Sequence, residues 1–224
     1  MKIIRLRSVV STQDEIEKYL GFSGDVAVIA EEQTGGKGTK GRSFDSQRGG
    51  LYVTFLIRYD RLPAAEAYTV VETFSVAVAE TLISFGVDAK IKWPNDIYAS
   101  GKKICGMATK NKIHGNEIEY TIIGIGINVN NDVADGLKDI AISAKDILNR
   151  ELDVNEVFDR LKENIYRKYD AKRYEELSLV VGKRVKVVST VGEFYAVAER
   201  ILPDGRLVTA DGRVLSDEEV KIVV

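Results

Sequence analysis

Several things are scarce in this chain, and each scarcity removes a class of chemistry. There is one cysteine, Cys105, in 224 residues. A lone cysteine permits no internal disulfide and no cysteine metal cage, and it suits a reducing compartment. It lies in the apolar run ICGM, where a small core residue is the expected reading and a nucleophile is not. There is also one histidine, His114, in the polar stretch NKIHGNE. That removes two-histidine metal motifs, and a Ser-His-Asp triad would have to draw on a hairpin tip. The net charge is −2, so no overall basic field attracts nucleic acid. Anions would have to be met by local clusters such as Lys37, Lys40, Arg42 and Arg48. No apolar run approaches a membrane span, and the start, MKIIRLRSVV, is too short and too charged for a secretion signal. A cytoplasmic protein is expected.

What is present is ordinary in bulk and unusual in one stretch. Hydrophobic residues make up 45% and charged residues 29%, as in a globular protein, and the length suits one large domain and one small one. Residues 31–42 read EEQTGGKGTKGR, with four glycines, two lysines and an arginine. Such a run can bring backbone N–H groups and cations against an anion. Gly36, Gly38 and Gly41 fit the dinucleotide pattern G-x-G-x-x-G, and residues 36–43 nearly fit a P-loop. Both patterns need a helix immediately afterwards to receive the phosphate. Here SFDSQRGG is followed by LYVTFLIR, a strand by composition, so the loop joins strand to strand. A kinase loop does the same, but neither H-R-D nor D-F-G occurs. On the loop alone two readings stand: a cover over an anion, or a hairpin with solvated charges.

The rest of the chain supplies context. Residues 2–6 read as a strand, and Ser11 or Thr12 can N-cap the helix that follows, with Ile16, Tyr19 and Leu20 on its apolar face. Either hydroxyl could instead face a ligand. Residues 25–30 form a buried strand that delivers the loop, and residues 51–58 form the next strand. Residues 64–85 carry a helical pattern ended by Gly86. Residues 89–92 form a short strand stopped by Pro94, in the stretch KWPND. Trp93 there is either a wall to a pocket or part of a common turn. Residues 97–99 and 104–110 make a hairpin, and Lys103 enters its second strand pointing either to water or into a pocket. Residues 117–130 form a long strand pattern interrupted by Gly124 and Gly126, which mark a bulge or close backbone approach, with Asn128 after them. A short helix over 143–150 and a longer one over 154–177 follow. Beyond Gly182, short strands and the turns PDGR and DGR predict a small all-β barrel of SH3-like size. The boundary is expected near Val180, giving domains 1–180 and 181–224.

Three polar clusters now lie near strand ends: Ser11-Thr12 with EEQTGGKGTKGR, KWPND with GKK, and GIGINVN. In this order and spacing the chain resembles the biotin protein ligases, and the resemblance covers essentially its whole length. It implies an α+β fold, a mixed sheet with helices on one face, followed by an SH3-like β-barrel. It implies a two-step acyl transfer: biotin and ATP give biotinyl-5′-AMP, and a lysine of a biotin carboxyl carrier domain then takes the biotinyl group. The absence of a protein nucleophile fits, because the substrate carboxylate itself attacks. Magnesium would arrive with ATP, with no dedicated cage and Asp96 as a candidate contact.

By resemblance, Ser11, Thr12 and Gln33 contact the biotin ring, and Gly36, Lys37 and Gly38 belong to the loop over it. Gly106, Gly124 and Gly126 let the backbone come close. Lys103 is the catalytic lysine, and Arg42 and Thr39 lie toward the phosphate. Trp93 would stack on adenine, Asn95 and Asp96 would order the nucleotide, and Asn128 would sit at the adenine pocket. Two departures stand out. Lys37 and Thr39 replace arginines of the family's G-R-G-R-x-G-R loop, which implies weaker hold on the adenylate and leakage to nearby lysines. The chain also starts directly at the catalytic domain, so repressor function and nucleic-acid binding are not expected. A homodimer is. The alternatives are a lipoate–protein ligase, which shares fold and chemistry, and a non-catalytic biotin or nucleotide sensor.

Overall fold

The structure is a computed structural model that describes every residue except Arg42, Val191, Glu218, Glu219 and Val224. The expected phosphate contact Arg42 therefore lies outside the described residues.

β1 (Lys2–Val9) leads into α1 (Thr12–Glu15), a single turn that runs on as a 3-10 turn over Ile16–Tyr19. Then come β2 (Val26–Gln33), β3 (Leu51–Arg58), α2 (Ala67–Ser84), β4 (Lys90–Lys92), β5 (Asp96–Ala99), β6 (Lys102–His114) and β7 (Glu117–Ile127). These strands form one sheet in the order β1-β2-β3-β7-β6-β5-β4. Only the β1–β2 pair is parallel, so the sheet is mixed. His114 ends β6 at the hairpin turn, as its polar neighbours suggest.

The period-2 alternation of a strand sorts the sheet's residues onto two faces. Ala27, Ile29, Val53, Phe55, Ile123 and Ile125 bury one face against α2 and the later helices. Val26, Val28, Leu56 and Ile122 bury part of the other against Ile16, Tyr19 and Leu20. Helices therefore lie on both faces, which corrects the expectation of one. The cause is the parallel β1–β2 pair, whose crossover carries α1 over the face that the long helices leave free.

The expected helix over 154–177 is two. α3 (Ala144–Leu148) comes first, then α4 (Val154–Asn164) and α5 (Ala171–Leu177). α4 ends where buried Asn164 turns its amide to Thr81 Oγ1 at 2.9 Å. Asp170 then caps a new helix, its carboxylate accepting from Arg173 N at 2.9 Å. The apolar period carries through this break, so the pattern alone reads as one helix.

The remaining strands are β8 (Arg184–Ser189), β9 (Gly192–Ile201), β10 (Leu207–Thr209), β11 (Val214–Leu215) and β12 (Val220–Val223). They pair antiparallel in the order β11-β10-β9-β8-β12. Their small core of Val185, Val187, Ala198, Leu207, Leu215 and Ile222 is completed by Val180 and by Trp93 from the large sheet.

The main core centres on Phe55, fully buried, stacked on Phe158 at 6.4 Å between ring centroids and tilted against Phe74 at 6.0 Å. Phe55→Ala is expected to cost about 3–5 kcal/mol, from lost burial plus the cavity left behind. Urea denaturation checks this, and a loss below about 1 kcal/mol would show that this ring is not central.

Candidate functional site

The site lies on the α1 face of the sheet, where β6 and β7 carry their smallest residues. Gly106 pairs with Gly126, and Ala108 with Gly124. On the neighbouring strand Tyr52 stands beside Gly126 and Thr54 beside Gly124. Spacing by two puts these small residues on one face, so a bare floor opens between α1 and the loop. Side chains at Gly124 or Gly126 would collide with Gln13 and with the Phe44 ring respectively. The cleft over this floor is lined by Ser11, Thr12, Gln13, Gln33, Lys37, Gly38, Thr39, Phe44, Lys103, Gly106 and their neighbours.

One wall is a directed chain of hydrogen bonds. Thr54 Oγ1 donates to Thr12 Oγ1 at 2.8 Å, and Thr12 Oγ1 donates to Gln33 Oε1 at 3.0 Å. Thr12 N also donates to Gln33 Oε1, at 2.8 Å. Gln33 Nε2 donates to Ser46 Oγ at 2.9 Å, and Ser46 Oγ donates to the Phe44 carbonyl at 3.0 Å. Two donors on Oε1 fix which way the amide faces. A primary amide has a second N–H, which gives Gln33 a donor of set direction for a polar ring. Ser11 is the cap: its hydroxyl accepts from Gln13 N at 3.2 Å. Ser11 thus caps the helix while Thr12 joins the network, and both line the cleft.

The glycine-rich loop is an ordered hairpin rather than a loose one. Phe44 N donates to the Gly36 carbonyl at 2.9 Å, and Lys37 bridges Ser43 in antiparallel register. Gly36 sits at this base beside Gln33, and Thr39 opens a 3-10 turn at the tip. Lys37 Nζ meets Asp14 at 2.6 Å.

Opposite, Lys103 is held by its backbone on both edges. It pairs with Tyr98 of β5, and its N–H donates to the Ile140 carbonyl at 2.9 Å while its carbonyl accepts from Ile142 N at 3.0 Å. Its ammonium meets Asp96 at 2.6 Å, with both side chains about one-third exposed. Pairs this exposed are worth roughly 0–1 kcal/mol, so an arriving anion can replace either carboxylate cheaply.

The structure thus brings Ser11, Thr12, Gln33, Lys37, Gly38, Thr39, Lys103, Gly106, Gly124 and Gly126 to one cleft. Four expected nucleotide contacts are not among its lining. Trp93 is 4% exposed, packed into the C-terminal core, and its Nε1–H donates to the Gly205 carbonyl at 2.9 Å. Asn128 is buried as well. Its Nδ2 donates to the Ile142 carbonyl at 3.2 Å and its Oδ1 accepts from Asn131 at 3.2 Å, so the amide fastens the segment that backs Lys103. Asn95 donates to the Met107 carbonyl at 3.0 Å. Asp96 pairs with Lys103 at the edge of the site.

Sequence reasoning missed Gln13, Thr54, Phe44, Ser46 and Ala108. A signal was there for three of them. Thr54 is the one aliphatic hydroxyl in LYVTFLIR, Phe44 the one aromatic in the loop, and Ala108 continues the small-residue spacing of Gly106.

Among the described residues no three metal-ligating side chains cluster, and no helix is long and apolar enough to cross a membrane. Cys105 is fully buried beneath Lys103 and free. Burial pushes its thiol well above the ordinary range, against a smaller lowering by the Lys103 charge. It is expected to resist a thiol reagent in the native protein even at pH 9, and to react fully in guanidinium. Rapid native labelling would contradict the buried position.

Comparison with known proteins agrees with this geometry. The sequence matches the Biotin/lipoate A/B protein ligase family over residues 6–128. The bifunctional ligase/repressor BirA of Bacillus subtilis (strain 168) is 33% identical over 217 residues, covering 90% of this chain and 66% of that protein. BirA of Escherichia coli (strain K12) is 36% identical over 109 residues, covering 48% of this chain and 33% of that protein. The chain thus spans less than two thirds of the length of these curated relatives. The structure of biotin protein ligase from Aquifex aeolicus in complex with biotin and ATP superposes with a TM-score of 0.73 at 26% identity, covering 99% of this chain and 95% of that one. With the family match running over more than half of its length, the chain belongs to the biotin/lipoate A/B protein ligase family.

Proposed function

We propose that the chain is an ATP-dependent biotin protein ligase. It activates biotin as biotinyl-5′-AMP and passes the biotinyl group to a lysine of a biotin carboxyl carrier domain. The observation that carries this is the cleft itself: a fixed Gln33 amide at one wall, a bare glycine floor, and Lys103 at the other side. Support comes also from the Aquifex ligase solved with biotin and ATP and from the ligases among the relatives.

In the first step an oxygen of the biotin carboxylate attacks the α-phosphorus of ATP and pyrophosphate leaves. Both reactants are anionic, so the enzyme has to bring two negative groups together. Lys103 exchanges Asp96 for the carboxylate and α-phosphate and holds them in line. Lys37, released from Asp14, and the loop N–H groups cover the phosphate side. Magnesium would enter with ATP, and Asp96 would offer it one carboxylate, too little for a resident cage. In the second step the carrier lysine's neutral amine attacks the acyl carbon, AMP leaves with the former anhydride oxygen, and the amine's proton goes to solvent or phosphate. The glycine floor and the Phe44 ring shape the apolar path of the acyl chain.

Residues 1–180 form the catalytic unit in this reading, and residues 181–224 an SH3-like barrel module whose strand pairing is that of β8 to β12. The free outer edge of β1 supports a homodimer, and the single reduced cysteine a cytoplasmic setting.

Biotin is expected to drive ATP–pyrophosphate exchange and lipoate is not. Exchange with lipoate alone would reverse the assignment, and tight biotin binding with no exchange would leave a sensor. Lys103→Ala is expected to lower adenylate formation by about 100- to 1,000-fold. A loss of affinity with the rate intact would remove Lys103 from the reaction. Thr39 leaves one cation fewer in the cover loop, so the wild type is expected to label a bystander protein more than Thr39→Arg does. Equal labelling would show that this position does not govern retention of the adenylate.

A further inference from the structure

Gln33 is held by more than the two donors on its oxygen. Thr12 N and Thr12 Oγ1 both donate to Oε1, from 2.8 and 3.0 Å. They pin one atom of the amide, and a plane pinned at one atom can still swing. The second fixed point is Ser46 Oγ, which accepts from Gln33 Nε2 at 2.9 Å. Ser46 is 4% exposed and lies outside the lining of the cleft. Its backbone carbonyl accepts from Gln33 N at 3.0 Å, so backbone and side chain of one residue grip the same glutamine. The Ser46 hydroxyl has a single proton, and it goes to the Phe44 carbonyl at 3.0 Å. Phe44 N in turn donates to the Gly36 carbonyl at 2.9 Å, and the Phe44 ring lies over Gly106 and Gly126 on the floor. Gly36 leaves room for this joint: a side chain there would collide with Ser46 Oγ and with the Phe44 carbonyl. Its φ is not left-handed, so the demand at Gly36 is for space.

We propose that Ser46 is a positioning residue: it fixes the plane of the Gln33 amide, and so the direction in which the amide's second N–H meets the ring of biotin. This rests on the reading of the chain as a biotin ligase with Gln33 at that ring. A primary amide carries its two N–H groups in one plane, so spending one on Ser46 aims the other. A hydrogen bond weakens steeply as its angle closes, and an amide free to swing would also lose entropy on meeting the ligand. The same hydroxyl orients Phe44, so the polar wall and the ring over the floor share one buried fixed point. Phe44 keeps a second hold through its N–H bond to Gly36, whereas among the described residues Gln33 Nε2 has Ser46 alone. Loss of the hydroxyl therefore falls on Gln33 first.

Ser46→Ala removes the hydroxyl and adds no bulk. In biotin-dependent ATP–pyrophosphate exchange it is expected to raise the KM for biotin about 3- to 10-fold, the worth of one ordinary hydrogen bond, with kcat and the KM for ATP within about twofold. A general loosening of the fold would instead lower kcat and weaken both substrates together. In a Gln33→Ala background the same change is expected to alter the biotin KM by less than about twofold, because its route to the ligand is gone. A folded Ser46→Ala with the wild-type KM for biotin overturns the proposal. So do a fall in kcat that matches the rise in KM, and losses that multiply in the double variant. Should Ser46→Ala not fold, Ser46→Cys decides. It keeps the shape but offers only a weak donor and acceptor, and it is expected to raise the biotin KM at least about twofold with kcat unchanged. The wild-type KM in a folded Ser46→Cys overturns the proposal as well. Wild type without biotin-dependent exchange overturns the ligase reading and the positioning with it, whereas normal exchange and an unchanged biotin KM in Ser46→Ala overturn the positioning alone.

Discussion

Gly106 faces Gly126 and Ala108 faces Gly124 across the middle of the large sheet, and most of what the molecule can do depends on that absence of side chains. The opposite face of the same strands carries Cys105, Met107, Ile123, Ile125 and Ile127, all buried. One pair of strands is therefore asked to be a full hydrophobic core on one side and an empty floor on the other. Glycine weakens a strand interior by roughly 0.5–1 kcal/mol relative to alanine. The sheet tolerates several because its helix-facing side is packed without interruption. The bare face would otherwise expose backbone. The glycine-rich hairpin covers it, and the Phe44 ring lies over both Gly106 and Gly126.

Charge is arranged with the same economy. Lys37 and Lys103 reach the cleft from opposite sides, and each rests against one carboxylate, Asp14 and Asp96. Neither pair is deeply buried, so neither cation has lost its water nor is firmly committed. A buried pair would have made a deeper well and a poorer anion site, since breaking it leaves an uncompensated charge at a cost of about 3–5 kcal/mol. Weak pairing keeps the cations oriented until a carboxylate or phosphate arrives.

The polar pattern of the site was legible in the sequence where one local segment decides the outcome. Ser11 caps a helix because the next residues start one, and the glycine loop is a hairpin because strand-forming residues flank it. Thr12, Gln33, Lys37 and Lys103 converge because each sits at the end of an element whose type the sequence shows. The failures share a physical origin. Trp93 reads locally as either a wall or part of a turn, and what its neighbours do not contain is its hydrogen-bond partner, a carbonyl 112 residues away. The face on which α1 packs depends on which strands pair, a long-range fact that alternation within one strand does not contain. The break between α4 and α5 turns on the capping of Arg173 N by Asp170 and on the Asn164–Thr81 bond, against an apolar period that runs straight through.

The polar residues outside the lining of the cleft have something in common. Asn95 holds the Met107 carbonyl, Asn128 holds the Ile142 carbonyl, and Asp96 holds Lys103 itself. The most distinctive motifs of the chain thus spend their polar groups on the strand that carries the lysine. β6 is gripped at one edge by the 95–96 turn and at the other by the segment that Asn128 secures. A lysine needs this more than a rigid group would, because its long stem gives it reach at the expense of aim. Whatever else these motifs touch, their side chains fix the frame from which a mobile cation works.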